Sequence, residues 1–197
     1  MKKMDKLINN LRINKKMLIF LITLGLIGLI IGSLFTVSLK VNDQTLVKNY
    51  LNTYLVNIDK DKLDYLMALK NISINNYSYV IIVWLLGISI IGIPIIVFMY
   101  FMKFFMLGFT LSSIIINYKL KGLILAFIYI FPHQLINITI YTFLIIFSLT
   151  LALKIGEAFI KKKSINFKLI INRYSKVLII TLFVITLTNL YEIYIMP

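Results

Sequence analysis

Residues 80–153 read VIIVWLLGISIIGIPIIVFMYFMKFFMLGFTLSSIIINYKLKGLILAFIYIFPHQLINITIYTFLIIFSLTLAL, with Lys103, Lys119 and Lys121 as the formal charges and His133 as the one histidine. Lipid is the solvent that suits such a stretch, because a hydrocarbon core of about 30 Å is crossed by roughly 20 apolar residues per helix. The rest of the chain reads as a means of anchoring and orienting this block.

Composition agrees. The chain has 197 residues, 60% of them hydrophobic and only 14% charged, with mean hydropathy +0.94. A soluble domain of this length would dress a single core in charge; here apolar runs recur from end to end. The expected class is all-α, a single polytopic helical membrane domain. The net charge of +14 does not point to nucleic acid, since the basic residues lie beside apolar runs. There the positive-inside rule and anionic lipid headgroups account for them. With no cysteine, disulfides, thiol catalysis and thiolate metal sites are excluded.

Working outward, residues 1–16 carry six basic side chains against Asp5, and the apolar run 17–39 follows. The run exceeds a signal-peptide core of roughly 7–15 residues and lacks a small-residue cleavage site, so it reads as an uncleaved first span with its N-terminus inside. Gly25, Gly28 and Gly32 lie near one face, as either a glycine-tolerant helix or a close helix–helix contact. Residues 40–78 form a polar outer segment. Asp43 opens a helix whose face carries Val47, Tyr50, Leu51, Tyr54, Leu55 and Ile58; Asp59 opens a second, with Leu63, Leu66 and Met67 as its stripe. Amphipathic helices of this kind bury their stripes against the bundle, lipid or a partner.

A second span is expected over 80–102, opened by the interfacial aromatics Tyr77, Tyr79 and Trp84 and kinked by Pro94, with Lys103 marking the cytoplasmic return. The third, 104–118, is short. Residues 123–153 exceed one straight crossing and suggest either a half-helix, a break at Pro132 and a full helix, or one long kinked helix. The basic segment 154–176 belongs inside, with span five over 177–194. Five spans result, N-in and C-out, with Lys119 and Lys121 outside.

Membrane-embedded catalysis lacks its residues. One histidine cannot make the two-histidine zinc motif. No Asp or Glu sits mid-span to serve a protease dyad or a coupled transporter; Glu157 and Glu192 are marginal. No metal or cofactor is expected. His133, beside Pro132, is either a functional intramembrane group or an imidazole bonded to carbonyls that the proline frees.

Trp84-Leu85-Leu86-Gly87, Gly92-Ile93-Pro94, Phe104 with Gly108-Phe109, Lys121-Gly122 and Phe131-Pro132-His133 resemble the stage II sporulation protein M family over nearly the whole chain. Many members continue the last motif into Gly and, three positions on, Glu, whereas sporulation members carry Gln and Asn. Gln134 and Asn137 stand there in this chain, favouring a scaffold over a pump. The resemblance implies a non-enzymatic anchor that holds stage II sporulation proteins D and P, which degrade peptidoglycan, at the septum during forespore engulfment. Segment 42–76, with Tyr50, Tyr54, Ile58 and Leu66, and the small-residue faces of the spans are then the expected partner surfaces. A homo-oligomer is compatible with the same faces. The rival reading is a permease- or channel-like subunit.

Overall fold

The computed structural model describes residues 15–58, 65–126, 131–162 and 167–195. Among them are six helices and no strand: α1 (Lys15–Ser38), α2 (Val41–Ile58), α3 (Tyr65–Leu86), α4 (Gly92–Leu125), α5 (Phe131–Ile160) and α6 (Phe167–Ile195). Helices α1, α4, α5 and α6 are long and apolar enough to cross a membrane. The chain is a polytopic helical membrane protein.

Cross-helix pairs give the directions. Gly25 meets Phe104 and Gly32 meets Phe105, while Thr36 bonds the Phe109 carbonyl, so α1 and α4 run parallel. Helix α5 returns: Thr150 lies against Met17 near the start of α1. Helix α6 opposes α5, pairing Thr188 with Asn137 and Tyr174 with Ser148. Helix α3 opposes α6 through Tyr77–Thr186 and Trp84–Tyr174. Its 22 residues, about 33 Å at 1.5 Å per residue, therefore make it a fifth crossing. Its polar residues hold it below the apolarity of the other four. With the basic ends placed inside, α1 rises, α3 descends, α4 rises, α5 descends and α6 rises.

Against the five spans expected, four helices have the length and apolarity of a span and α3 is added by its packing; the boundaries differ. The expected span 80–102 is cut at 87–91, where turns separate α3 from α4. Residues 65–78 thus belong to a crossing helix, and Leu66 and Met67 sit at its exposed outer end, not on a separate surface helix. Lys103 is no cytoplasmic return: it lies inside α4, continuous with the supposed short span 104–118. Apolarity runs unbroken through 87–91, so hydropathy alone could not find the turn. Asp59 and Leu63 lie outside the described residues. Asp43 does fall in the first turn of α2.

Pro94 does not kink a helix from within: it sits in the first turn of α4, where a backbone N–H has no intrahelical partner and its loss costs little. Pro132 is the second described residue of α5, and the expected break before it falls at 127–130, outside the described residues. The sharp change comes at Lys119, with φ 52° and ψ −129°, so 120–125 folds back beside the end of α4. A Cβ on Gly122 would meet the Ile114 carbonyl oxygen and stand 3.0 Å from Tyr118 Cβ. Residues 104–125 therefore cross once and turn at the outer end.

The core joins Leu21 of α1, Val80 and Val83 of α3, Ile96 and Tyr100 of α4, Leu144, Ile145 and Leu149 of α5, and Ile185 of α6. Because lipid tails are as apolar as these side chains, close packing and interhelical hydrogen bonds hold the bundle together. Closest packing is between α1 and α4. A Cβ at Gly28 would come within 2.9 Å of the Phe101 carbonyl oxygen, and one at Gly32 would overlap that of Phe105. Across the same seam, Gly108 faces the Leu29 carbonyl. The glycine stripe is a helix–helix contact used up within the chain, which removes it from the expected partner surfaces.

Candidate functional site

Helices α3, α5 and α6 each turn polar side chains inward, and these stack into a column from the outer end to mid-depth. At the top, His133 Nε2 lies 3.5 Å from Glu192 Oε1. One turn deeper, the Thr188 hydroxyl donates to Asn137 Oδ1 at 2.8 Å. Next, Asn76 Nδ2 donates to Asn189 Oδ1 at 2.7 Å, and Asn189 Nδ2 donates to Ser73 Oγ at 3.3 Å. The Tyr141 hydroxyl closes the layer on Asn76 Oδ1 at 2.9 Å. His133, Asn137 and Asn189 are buried. In hydrocarbon such groups must find partners inside the protein.

The column ends on a cation. Tyr79 and Tyr141 pack with ring centroids 4.7 Å apart, and the Lys103 ammonium lies 4.6 Å from the first centroid and 5.2 Å from the second. Lys103 follows the start of α4 by eleven residues, about 16 Å at 1.5 Å per residue, which is the middle of the bilayer. Among the described residues it has no carboxylate partner, so the negative ring faces supply the attraction. The Tyr79 hydroxyl is buried without a hydrogen-bond partner. Beneath this point Val80, Val83, Ile96, Leu144, Ile145 and Leu149 are buried and apolar. The linked series thus extends from the outer side to mid-depth; further in, the buried polar groups are separate, the Tyr100–Thr142 pair, Thr181 and the Ser148–Tyr174 pair.

At the inner end the tryptophan–glycine motif proves to be a packing device. The rings of Trp84 and Tyr174 stack 5.5 Å apart at 13°. The Tyr174 hydroxyl donates to the Trp84 carbonyl at 3.0 Å and lies 2.6 Å from Ser148 Oγ. Gly87 leaves room for this contact, since a Cβ there would overlap that hydroxyl and sit 2.8 Å from Ser148 Cβ. Gly92 likewise lies against the Leu86 carbonyl, closing the 87–91 turn. The aromatics expected together at one interface are instead distributed in depth: Trp84 is near the inner end and Tyr79 is buried at the centre.

On the outer side, α2 makes slight contact with α4. Leu46, Tyr50 and, at the outer end of α3, Leu66 are exposed; the side chains of Tyr54 and Ile58 lie outside the described ones. Of the expected site residues, only His133 joins the polar column. Sequence reasoning did not anticipate its neighbour Glu192; the carbonyls at 127–130 that Pro132 was expected to free lie outside the described residues. Lys103, Asn76, Asn189, Glu192 and Tyr174 escaped sequence reasoning. The asparagines were the available signal, because an amide in an apolar helix requires a partner.

No curated protein and no solved structure matches the chain. A family comparison matches residues 17–197 to stage II sporulation protein M. Because the match covers nearly the whole chain, including all five crossing helices, the protein belongs to the stage II sporulation protein M family and is a sporulation-related membrane protein.

Proposed function

We propose that the protein is a non-enzymatic scaffold of the cytoplasmic membrane. It recruits peptidoglycan-degrading partners, stage II sporulation proteins D and P, to the sporulation septum, where thinning of the septal wall lets the mother-cell membrane engulf the forespore. Family membership supports this reading. The observation that carries it is α2, an 18-residue helix on the outer end, lightly held and presenting Leu46 and Tyr50 outward. Wall-cutting partners act on that side. Confinement in one membrane raises their effective concentration without a strong single contact.

The test is fluorescence microscopy of a deletion strain under sporulation conditions with a membrane dye, alongside co-purification on a tagged chain. An engulfment stall with a thick or bulging septum is expected, together with capture of wall hydrolases that Leu46→Glu with Tyr50→Ala abolishes. Normal engulfment in the deletion strain would refute the scaffold.

The polar column favours a second reading, a permease- or channel-like subunit, because a cation at mid-depth below a buried polar series resembles a transport site. Solute flux into vesicles holding the purified chain, lost in His133→Ala and Lys103→Met, would establish it.

A further inference from the structure

Helix α3 is polar on two faces. Ser73, Asn76 and Tyr77 point inward and are bonded to α6 and α5. Asn71, Asn75 and Ser78 point the other way and are exposed. Spacings of four and three put them in one stripe. None of their side chains has a hydrogen bond among the described residues.

Depth makes this stripe unusual. Tyr79 is level with Lys103, and the neighbouring Phe104 packs on Gly25 and Gly28 of α1. Ser78 therefore lies near the bilayer centre. Asn75 is about 5 Å and Asn71 about 10 Å further out, at 1.5 Å per residue. On α1 the exposed side chains at these levels are Leu26, Ile30, Ile31 and Leu34, as hydrocarbon demands. Two primary amides facing lipid would each forfeit their hydrogen bonds.

We infer that the Asn71–Asn75–Ser78 stripe of α3 is the contact by which two copies of this chain form a symmetric dimer in the membrane. A second copy suits the stripe for reasons that other occupants do not share. Amides and hydroxyls both donate and accept, so each residue is complementary to itself. All copies insert in the same orientation, so a two-fold axis along the membrane normal sets Asn71, Asn75 and Ser78 opposite their own counterparts at equal depth and closes the assembly. The stripe carries no charge that would set two copies against each other. Ile74, Ile81, Ile82 and Leu85 share the exposed side and supply apolar packing around it. The α1 glycine face, the other small-residue surface, is already filled by α4.

The chain has no cysteine, so single-cysteine variants report cleanly. Asn71→Cys, Asn75→Cys, Ser78→Cys and the control Ile30→Cys are each expressed full-length and oxidised in native membranes. A disulfide needs Cα atoms within about 7 Å, so a self-dimer is expected from at least one stripe position and not from Ile30→Cys. In lipid nanodiscs Asn75→Leu, an exposed change that leaves the bundle core intact, weakens the dimer by about threefold to thirtyfold in native mass spectrometry. The inference is overturned by a stripe that forms no disulfide dimer, by equal cross-linking of the Ile30 control, by stripe cross-links to a different membrane protein, or by Asn75→Leu dimerising like wild type. None of these outcomes depends on wall-hydrolase recruitment, so this inference and the scaffold stand or fall separately.

Discussion

Alanine substitution along the α1 glycine stripe tests whether the α1–α4 seam holds the bundle, because the three positions meet obstacles of different stiffness. At Gly25 a new Cβ would stand 2.8 Å from the Phe104 ring, and that ring can rotate aside. At Gly28 it would stand 2.9 Å from the Phe101 carbonyl oxygen and 3.2 Å from Phe104 Cβ; the helices need part by only a few tenths of an ångström. At Gly32 it would overlap the Phe105 carbonyl oxygen and lie 2.9 Å from its carbon. There the obstacle is backbone, and α1 must move bodily. Such movement also loosens Thr36 from the Phe109 carbonyl and Ser33 from the Gly108 carbonyl. Overpacking typically costs about 1–3 kcal/mol, and loss of these bonds adds about 0.5–1.5 kcal/mol each. Gly32→Ala should therefore cost about 2–6 kcal/mol, Gly28→Ala about 1 kcal/mol, and Gly25→Ala less. Unfolding in mild detergent with increasing sodium dodecyl sulfate measures the series. Equal losses at all three positions, or a larger loss at Gly25 than at Gly32, would refute the reasoning.

Other outcomes follow from the same geometry. Gly87→Ala should destabilise by about 1–3 kcal/mol through its collision with the Tyr174 hydroxyl. Tyr174→Phe removes that hydroxyl and should restore part of the loss in the double variant, which a double-mutant cycle reads as coupling. Glu192→Ala leaves buried His133 without its acidic neighbour and should cost about 1–3 kcal/mol, whereas Glu192→Gln, which keeps an acceptor, should cost less in the same assay. Lys103→Met should leave stability unchanged or raised, since a central lysine costs about 2.5–3.5 kcal/mol on insertion scales; a marked loss would show that the two tyrosine rings more than offset that cost. Cysteines at Lys119 and Lys161 should label from opposite sides of sealed membranes, and labelling from one side would overturn the crossing order.

Much of the site was hidden because sequence reading weighs residues by type and the structure weighs them by depth. Lys103 illustrates the point. A lone lysine between apolar runs normally marks a loop, yet two tyrosines from other helices give this one an interior place. Glu192 looked marginal until the antiparallel pairing of α5 and α6 set it against His133. Asn76 and Asn189 are separated by most of the chain, and only the α3–α6 register brings their amides together. Pro94 looked like a helix kink because a proline's effect depends on distance from a helix start, which the uniform apolar runs conceal.

The sequence by itself determined the solvent, the helical class and the apolar runs that become α1, α5 and α6. Each follows from additive quantities, apolar length and charge beside it, that need no partner to be read. The family is likewise carried by local spacings of tryptophan, glycine, proline and histidine. Only the tertiary structure decided where α3 ends and α4 begins, that the glycine stripe is filled by α4, and that a linked polar series leads to Lys103. Those are relations between helices distant in the chain, and in lipid they rest on fit and hydrogen-bond pairing, which have no counterpart in a hydropathy pattern.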